Sequence, residues 1–317
     1  MANTADKLQI IYGDQTLGLK GEGFHYIFSY PKGAFESLKK NGKEWFYRPP
    51  MPTFWRAETD NDRGSCFSQR SAMWFGADMF RKCTGRAVRV NGEEIPLPCA
   101  PENNRYSADE YADNVDICFT FETCTVPAAA VDVNWHVQAG GRITVSFRYH
   151  GKKGLPGLPL VGLRFSMPTK ADGFEYEGLS GETYPDRLAV GEPGIYQVEG
   201  LPVTPYLVPQ DCGMHMNTSW VKVNRSTTLN NADTDKETFD LKFTCKDRLF
   251  AFSCLPYTAE ELESATHHEE LPPARRTVLL ILAAVRGVGG IDSWCTDVEE
   301  AYHVSGEEDH EITFVIG

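Results

Sequence analysis

The sequence lacks the signatures of several large protein classes. It contains no Walker-type phosphate-binding loop, no G-x-G-x-x-G fingerprint after a strand, no G-x-S-x-G nucleophile elbow and no H-E-x-x-H zinc motif. Its longest apolar run, Thr277 to Val285, is far shorter than the ~20 residues that cross a bilayer. These absences argue against nucleotide-binding proteins, serine hydrolases, metalloproteases and helical membrane proteins.

Basic clusters and paired cysteines are also missing. The net charge is −13, and the largest basic groups are pairs such as Arg81-Lys82 and Arg275-Arg276, which argues against a nucleic-acid partner. The nine cysteines include no C-x-x-C pair, so we expect reduced thiols that act mainly as small core residues. The stretch Met1 to Lys7 shows no secretory pattern, which favours a cytoplasmic protein without a membrane partner.

Alternation of apolar and polar residues dominates the chain and predicts an all-β fold. The predicted strands are Leu8–Tyr12, Phe24–Tyr30, Ala87–Val90, Val115–Phe121, Val131–Val137, Ile143–Tyr149 and Leu241–Phe243. Asn91-Gly92 and Gly140-Gly141 predict tight hairpin turns. No repeat of about 20–50 residues is visible, so one large β-sandwich spanning residues 1–317 is the simplest architecture.

Helical signals are few. Thr258 with Glu261 has the capping-box spacing and predicts a short helix over 258–268, whereas the pattern from Gln69 to Phe80 is equivocal. The most linker-like stretches are 152–159 and 226–236, and we expect the second to be a mobile hairpin tip.

One glycine-rich turn stands out as a candidate binding site. Gly287-Val288-Gly289-Gly290-Ile291-Asp292-Ser293-Trp294 follows the longest apolar run. A buried strand should end there, and the backbone should turn where glycine permits positive φ. Trp294 then either folds back onto the core or forms an aromatic platform for a ligand.

Three polar clusters allow both structural and functional interpretations. Asp60-Asn61-Asp62 lacks the Gly and distal Glu of a calcium loop, so turn chemistry fixed by Arg56 is favoured over a metal site. His267 and His268 are adjacent and point to different helix faces, which argues against a shared metal ion. Tyr184-Pro185-Asp186-Arg187 is equally compatible with a local ion pair and with a functional role.

Four segments carry a family resemblance when they are taken together. They are Phe54-Trp55-Arg56-Ala57-Glu58-Thr59-Asp60-Asn61-Asp62-Arg63-Gly64, Tyr184-Pro185-Asp186-Arg187, Thr204-Pro205-Tyr206-Leu207-Val208-Pro209-Gln210 and Gly289-Gly290-Ile291-Asp292-Ser293-Trp294. In this order they resemble the R-A-x-x-D-N-D-x-G, Y-P-D-R, T-P-Y-x-x-P-x and G-G-x-D-S-W segments in the last domain of family 2 bacterial β-galactosidases. Some bacteria divide that enzyme into two subunits, and this chain resembles the small one.

The resemblance implies a fold and a division of labour. The family's domain is a large antiparallel β-supersandwich of galactose-mutarotase type, here with one or two short helices. Retaining hydrolysis needs two carboxylates about 5–5.5 Å apart. In the family both glutamates and the ligands of Mg²⁺ and Na⁺ belong to the large subunit. The resemblance thus implies no catalytic residue, metal ligand or cofactor in this chain, which we expect to be inactive alone.

The implied contribution of this chain is to substrate binding. In the family, the tryptophan of the G-G-x-D-S-W loop lines the aglycone side of the pocket, and that residue is Trp294 here. Gly289 and Gly290 would shape the loop, while Asp292 and Ser293 would fix it by local hydrogen bonds. The implied activity of the heterodimer is hydrolysis of terminal β-D-galactosides such as lactose.

The large subunit is the implied protein partner. Residues 1–15 have no motif and either extend toward that subunit or fray. Cys295, beside Trp294, is expected to make the complex sensitive to thiol reagents. The aromatic side chains expected to include contacts with the large subunit are Trp45, Trp55, Trp74 and Trp220.

Two other functions stay open. The chain could be a free-standing sugar epimerase of mutarotase type, with His215 as a candidate acid, although no clear epimerase motif is present. It could also be a non-catalytic carbohydrate-binding module.

Overall fold

The computed structural model describes residues 7–13, 15–97, 110–292 and 295–317. Within these ranges the chain forms mostly strands. In chain order they are β1 (Leu8–Gly13), β2 (Thr16–Gly21), β3 (Phe24–Ser29), β4 (Ala34–Lys40), β5 (Lys43–Glu44), β6 (Arg48–Thr53), β7 (Lys82–Val90), β8 (Glu93–Ile95), β9 (Tyr111–Ala112), β10 (Asn114–Glu122), β11 (Ala130–Gln138), β12 (Ile143–His150), β13 (Leu160–Pro168), β14 (Gly173–Leu179), β15 (Pro193–Glu199), β16 (Met214–Thr218), β17 (Trp220–Arg225), β18 (Phe239–Cys245), β19 (Phe250–Leu255), β20 (Arg276–Val285) and β21 (His310–Ile316).

The described strands form three antiparallel sheets. A ten-stranded sheet has the order β15-β14-β17-β18-β21-β12-β11-β10-β7-β8. A six-stranded sheet has the order β5-β4-β3-β2-β1-β9, and a five-stranded sheet has the order β16-β19-β20-β13-β6. One large cluster of buried apolar residues draws on all three sheets. The predicted all-β antiparallel class is therefore confirmed.

The strands predicted from alternation are all present. In β10, β11 and β12, every second residue is buried and the residues between them are polar and partly exposed. The register places Phe119 opposite Val133, and Val133 opposite Phe147, so one face of the sheet is continuously apolar. Side chains on alternate positions of a strand point to opposite faces, which is why period 2 identifies half-buried strands.

Strands without alternation were not predicted. β13 and β19 are buried along nearly their whole length, because both lie inside the five-stranded sheet. Strands covered on both faces read as continuous apolar runs, which do not have period 2. Of these central strands, only β20 was anticipated, because its apolar run is long and ends in glycine.

The three described α-helices are short: α1 (Asp60–Gly64), α2 (Phe67–Ser71) and α3 (Ala259–Ser264). The capping box of Thr258 and Glu261 is confirmed at the start of α3. The predicted extension to residue 268 is wrong, because Thr266 leaves the helix and donates its backbone N–H to Glu270 at 2.8 Å. No helix in the described ranges has the length and apolar character needed to cross a membrane.

Both predicted hairpin turns are confirmed. Asn91 and Gly92 adopt positive φ between β7 and β8, and Gly141 does so between β11 and β12. The linker interpretation of 152–159 is wrong, because Leu155 and Leu158 are buried in the main core. The stretch 226–236 does connect β17 to β18.

Candidate functional site

The four family-like segments, far apart in sequence, meet around one cavity of about 460 Å³. Each of them supplies part of its lining. The lining residues are Thr59, Asp60, Asn61, Glu182, Tyr184, Arg187, Val190, Tyr206, Gln210, Asp211, Val288 and Gly289.

The first segment holds the backbone that leaves β20. The guanidinium of Arg56 is buried and donates to the carbonyls of Arg286 at 2.7 Å and Gly287 at 2.9 Å. It also forms an ion pair of 3.0 Å with Asp62, whose side chain is buried. Hydrogen bonds from a buried charge are strong and directional, so Arg56 fixes where the glycine-rich turn begins.

Asp62 and Asn61 are placed by the start of α1. Asp62 forms a capping box with Thr59, each side chain accepting the other's backbone N–H at 3.1 Å. This arrangement directs Asn61 toward the turn, where its amide donates to the carbonyl of Val288 at 2.9 Å. The prediction of turn chemistry fixed by Arg56 is confirmed.

The second segment holds the same turn from the other side. The carboxylate of Asp186 accepts the backbone N–H groups of Val288 at 3.0 Å and Gly289 at 2.7 Å. The guanidinium of Arg187 donates to the carbonyl of Gly289. The local ion pair between the Asp186 and Arg187 side chains is longer, at 3.7 Å, and Arg187 also donates to the carbonyl of Asp186 at 3.1 Å. Both residues therefore act mainly on the glycine-rich turn, a role that the sequence left undecided.

Gly289 and Gly290 occupy positions that favour glycine. Their φ angles are +72° and +77°, in the left-handed region that other residues rarely adopt. A Cβ atom on Gly290 would lie 2.9 Å from the Asn61 amide nitrogen, and one on Gly289 would lie 3.3 Å from Val298. The turn thus combines a backbone bend with close packing.

The remainder of the loop is described in part. Asp292 is exposed, and its carboxylate accepts from the hydroxyl of Thr296 at 2.5 Å and from the Thr296 backbone N–H at 3.3 Å. These bonds close the loop across the two residues between 292 and 295. Those two residues, Ser293 and Trp294, lie outside the described part of the chain, so their expected roles stay predictions.

Cys295 packs against the first segment. Its φ is +62°, and a Cβ atom on Gly64 would lie 2.3 Å from its sulfur, so the glycine of that segment leaves room for the thiol. Cys295 is exposed, as are Cys66 and Cys124, whereas Cys212 and Cys254 are buried. The expectation of cysteines as core residues therefore holds only in part.

A buried carboxyl group forms the floor of the cavity. Asp211 accepts a hydrogen bond of 2.8 Å from the hydroxyl of Tyr184, and both side chains are buried. Burial raises the pKa of Asp211 to about 6, against the opposing effects of Arg56 and the Tyr184 hydrogen bond. Glu182 accepts from the backbone N–H of Gly213 at 2.7 Å. The sequence had not singled out Asp211 or Glu182.

The histidines considered as functional residues are differently placed. His215 is buried and its ring stacks on Phe252 at 4.7 Å, and burial lowers its pKa to about 4. It is a core residue, which weakens the epimerase alternative. His267 is exposed and contacts Glu270 at 3.3 Å. Over the described ranges, no three His, Cys, Asp or Glu side chains converge as a metal site would require.

Sequence comparison places the chain among β-galactosidase subunits. A family model described as "Beta galactosidase small chain" matches residues 20–316. A β-galactosidase small subunit from Latilactobacillus sakei is 58% identical over 100% of this chain and 99% of its own length. A β-galactosidase from Streptococcus thermophilus is 30% identical over 98% of this chain. The chain spans only 27% of that longer relative.

Comparison with solved structures gives matches at low sequence identity. A galactose mutarotase-like protein from Lactobacillus casei has a TM-score of 0.42 and 8% identity, covering 95% of this chain and 99% of its own. Galactose 1-epimerase from Lactobacillus acidophilus has a TM-score of 0.38 and 9% identity, covering 95% of this chain and 93% of its own.

Proposed function

Because the chain belongs to the β-galactosidase small-chain family, we propose that it is the small subunit of a two-chain cytoplasmic β-galactosidase. The complete enzyme hydrolyses terminal β-D-galactosides such as lactose. This chain completes the aglycone side of the active site, and the large subunit supplies the catalytic glutamates.

The bonding of the first two segments to the turn that begins the fourth, beside a cavity that the third also lines, carries this proposal. Arg56, Asn61, Asp186 and Arg187 all bond to backbone groups of residues 286–289. Such dense bonding is the support that a binding loop needs if it must hold a side chain in a fixed place. Five residues beyond Gly289, this loop carries Trp294.

Trp294 is proposed to contact the aglycone sugar. One face of an indole covers roughly 50 Å² of sugar C–H surface, and burying that area contributes on the order of 1 kcal/mol. Gly289 and Gly290 set the bend, while Asp292 and Ser293 are proposed to fix the loop by local hydrogen bonds. Substrate selectivity on the aglycone side would thus depend on this chain.

The bond-breaking chemistry is assigned to the large subunit. Retaining glycosidases place a nucleophile and an acid/base carboxylate roughly 5–5.5 Å apart on the two sides of the scissile bond. About three quarters of the longer relative, the Streptococcus thermophilus β-galactosidase, has no counterpart in this chain. We place both glutamates, together with the Mg²⁺ and Na⁺ ligands, in the corresponding large subunit.

Complementation tests the proposal directly. Hydrolysis of a chromogenic β-galactoside should be measured for this chain, for a β-galactosidase large subunit, and for an equimolar mixture. We expect activity in the mixture only. Absence of any gain over the separate chains would contradict the proposal.

The same assay distinguishes the alternatives. Interconversion of sugar anomers or epimers by this chain alone would support the epimerase. Sugar binding by this chain without any gain in hydrolysis would support a carbohydrate-binding module.

A further inference from the structure

One exposed apolar surface lies outside the cavity. Residues 73–80 expose Met73, Phe75, Met79 and Phe80, and Phe80 is 71% exposed. Val126, 79% exposed, adjoins them, because its backbone N–H lies 3.3 Å from the sulfur of Met73. We call these five residues the 73–80 surface. Concentrated exposure of large apolar side chains marks interaction sites more often than scattered exposure does.

The backbone under this surface is firmly anchored. Trp74 is fully buried, and its indole N–H donates to the carbonyl of Pro156 at 3.1 Å. Asp78 is buried and forms an ion pair of 2.7 Å with Arg164. Because the anchors alternate with the exposed residues, the apolar side chains are held outward. A preordered surface loses little conformational entropy when it binds.

The stretch of chain that forms most of this surface differs in charge from the whole chain. The sequence has 44 acidic and 31 basic residues. Between Gly64 and Arg86, however, Asp78 is the single acidic residue and it is buried, whereas this stretch contains four basic residues. The exposed Lys82 lies two residues after Phe80, and the exposed Glu122 stands opposite it on the neighbouring strand. An apolar partner segment with carboxylates at its edge would match this surface.

The surface is continuous with the candidate site. Phe75 packs edge to face against Trp55 of the first segment, with ring centroids 5.4 Å apart. Arg70, in α2 just before the surface, donates to Asp297 at 2.7 Å. Asp297 follows the loop that carries Trp294. A protein seated on the 73–80 surface would therefore lie beside that loop.

The four tryptophans expected to contact the large subunit do not provide an equivalent surface. Trp45, Trp55 and Trp74 are buried, so the expectation that they contact the large subunit is wrong for these three. Trp220 is half-buried and lies under the ammonium group of Lys242 at 3.9 Å.

We propose that the 73–80 surface is a docking site for the large subunit. The inference rests on the proposed function, because it takes the large subunit as the occupant. About three quarters of the longer relative has no counterpart in this chain, and a large subunit of that length is big enough to cover this surface. Docking there brings the large subunit to the edge of the glycine-rich loop.

A double variant, Met79→Ser with Phe80→Ser, tests the apolar contact. Its dissociation constant for a β-galactosidase large subunit should be measured by titrating activity and by calorimetry. The matched control is Leu229→Ser with Leu249→Ser, which removes two leucines of similar exposure, 59% and 52%, from other loops. Melting temperatures of both variants should be compared with that of the native chain.

We expect the M79S/F80S variant to melt like the native chain but to bind the large subunit at least tenfold more weakly. The control should bind like the native chain. If the native chain binds the large subunit and M79S/F80S binds it with the same dissociation constant, the docking site is wrong and the proposed function stands. Failure of the native chain to pair at all would overturn both.

The charge at the edge has its own test. Lys82→Glu should weaken pairing several-fold at about 50 mM salt and much less at about 500 mM, since salt screens exposed charges. If Lys82→Glu weakens pairing equally at both salt concentrations, or not at all, then carboxylates of the large subunit do not lie near Lys82.

Discussion

At the residue scale, Trp294→Ala is expected to change function without affecting folding. Loss of the indole face should weaken binding of glucose as an acceptor several-fold and lower lactose turnover in the reconstituted enzyme, because about 1 kcal/mol of apolar contact is lost. Acceptor affinity and kcat/KM for lactose measure this effect.

The matched variant Trp294→Phe keeps an aromatic face in the same loop. It should retain most of the acceptor affinity, whereas the alanine variant should not. Unchanged kinetics for Trp294→Ala in the assembled enzyme would refute its contact with the aglycone.

Some single residues could be predicted from the sequence and others could not. Bonding of Arg56 to the Asp60-Asn61-Asp62 cluster was predicted because the cluster follows it closely in sequence, and the structure shows the ion pair with Asp62. Asp186 binds backbone groups more than 100 residues further along the chain, and no spacing rule connects such distant positions. The buried pair of Tyr184 and Asp211 was not anticipated for the same reason.

At the element scale, the glycine-rich turn depends on contacts from outside itself. Asp186→Asn replaces a charged acceptor of two N–H groups by a neutral amide, which removes charge-assisted bonds worth about 1.5–3 kcal/mol each. We expect a loosened turn, a lower melting temperature and a kcat/KM for lactose reduced about tenfold in the reconstituted enzyme.

Asp309→Asn is the control for Asp186→Asn. Asp309 also accepts a backbone N–H, from Gly151 at 2.9 Å, and pairs with Arg148 at 2.8 Å, but it lies outside the four segments. This change should leave kcat/KM for lactose unchanged. Equal losses of kcat/KM in both variants would mean that Asp186 acts only through general stability.

Several strands with one face toward solvent were predicted, although β17, whose burial also alternates, was not. Period 2 identified β10, β11 and β12, since water on one face forces alternation. β19 has no exposed position, and β15 has no buried one, so neither has an alternating apolar face to detect. Element boundaries also depend on local side-chain bonds, as the early end of α3 beside the bond from Thr266 to Glu270 shows.

At the scale of the whole molecule, sequence composition predicted the class but not the arrangement. Aromatic and β-branched content with few helical signals is enough to indicate an all-β chain. The division into three sheets depends on strand pairings such as β12 with β21, which are more than 150 residues apart. The meeting of the four segments at one cavity follows from that arrangement and therefore required the structure.

The stability of the molecule should depend on the protonation of Asp211. Its pKa is raised from 3.8 to about 6 in the folded chain, mainly by burial. The folded state therefore binds the proton more tightly than the unfolded state. The stabilisation is fully present below about pH 4 and is lost as the pH rises through about 6, for a total of about 3 kcal/mol. Urea unfolding between about pH 5 and pH 7.5 should show about half of this loss, roughly 1.4 kcal/mol.

Asp211→Asn should remove that part of the pH dependence, because an amide does not titrate and can still accept the Tyr184 hydrogen bond. His215 acts in the opposite direction, since its lowered pKa makes the folded state less stable as the pH falls from about 6.5 to 4. Comparing the native chain with the variant cancels this term. The control is Asp60→Asn, which replaces an exposed carboxylate in the lining of the same cavity. Its stability should vary with pH as that of the native chain does. Parallel curves for the native chain and Asp211→Asn would show that Asp211 is already ionised at pH 5 in the folded state.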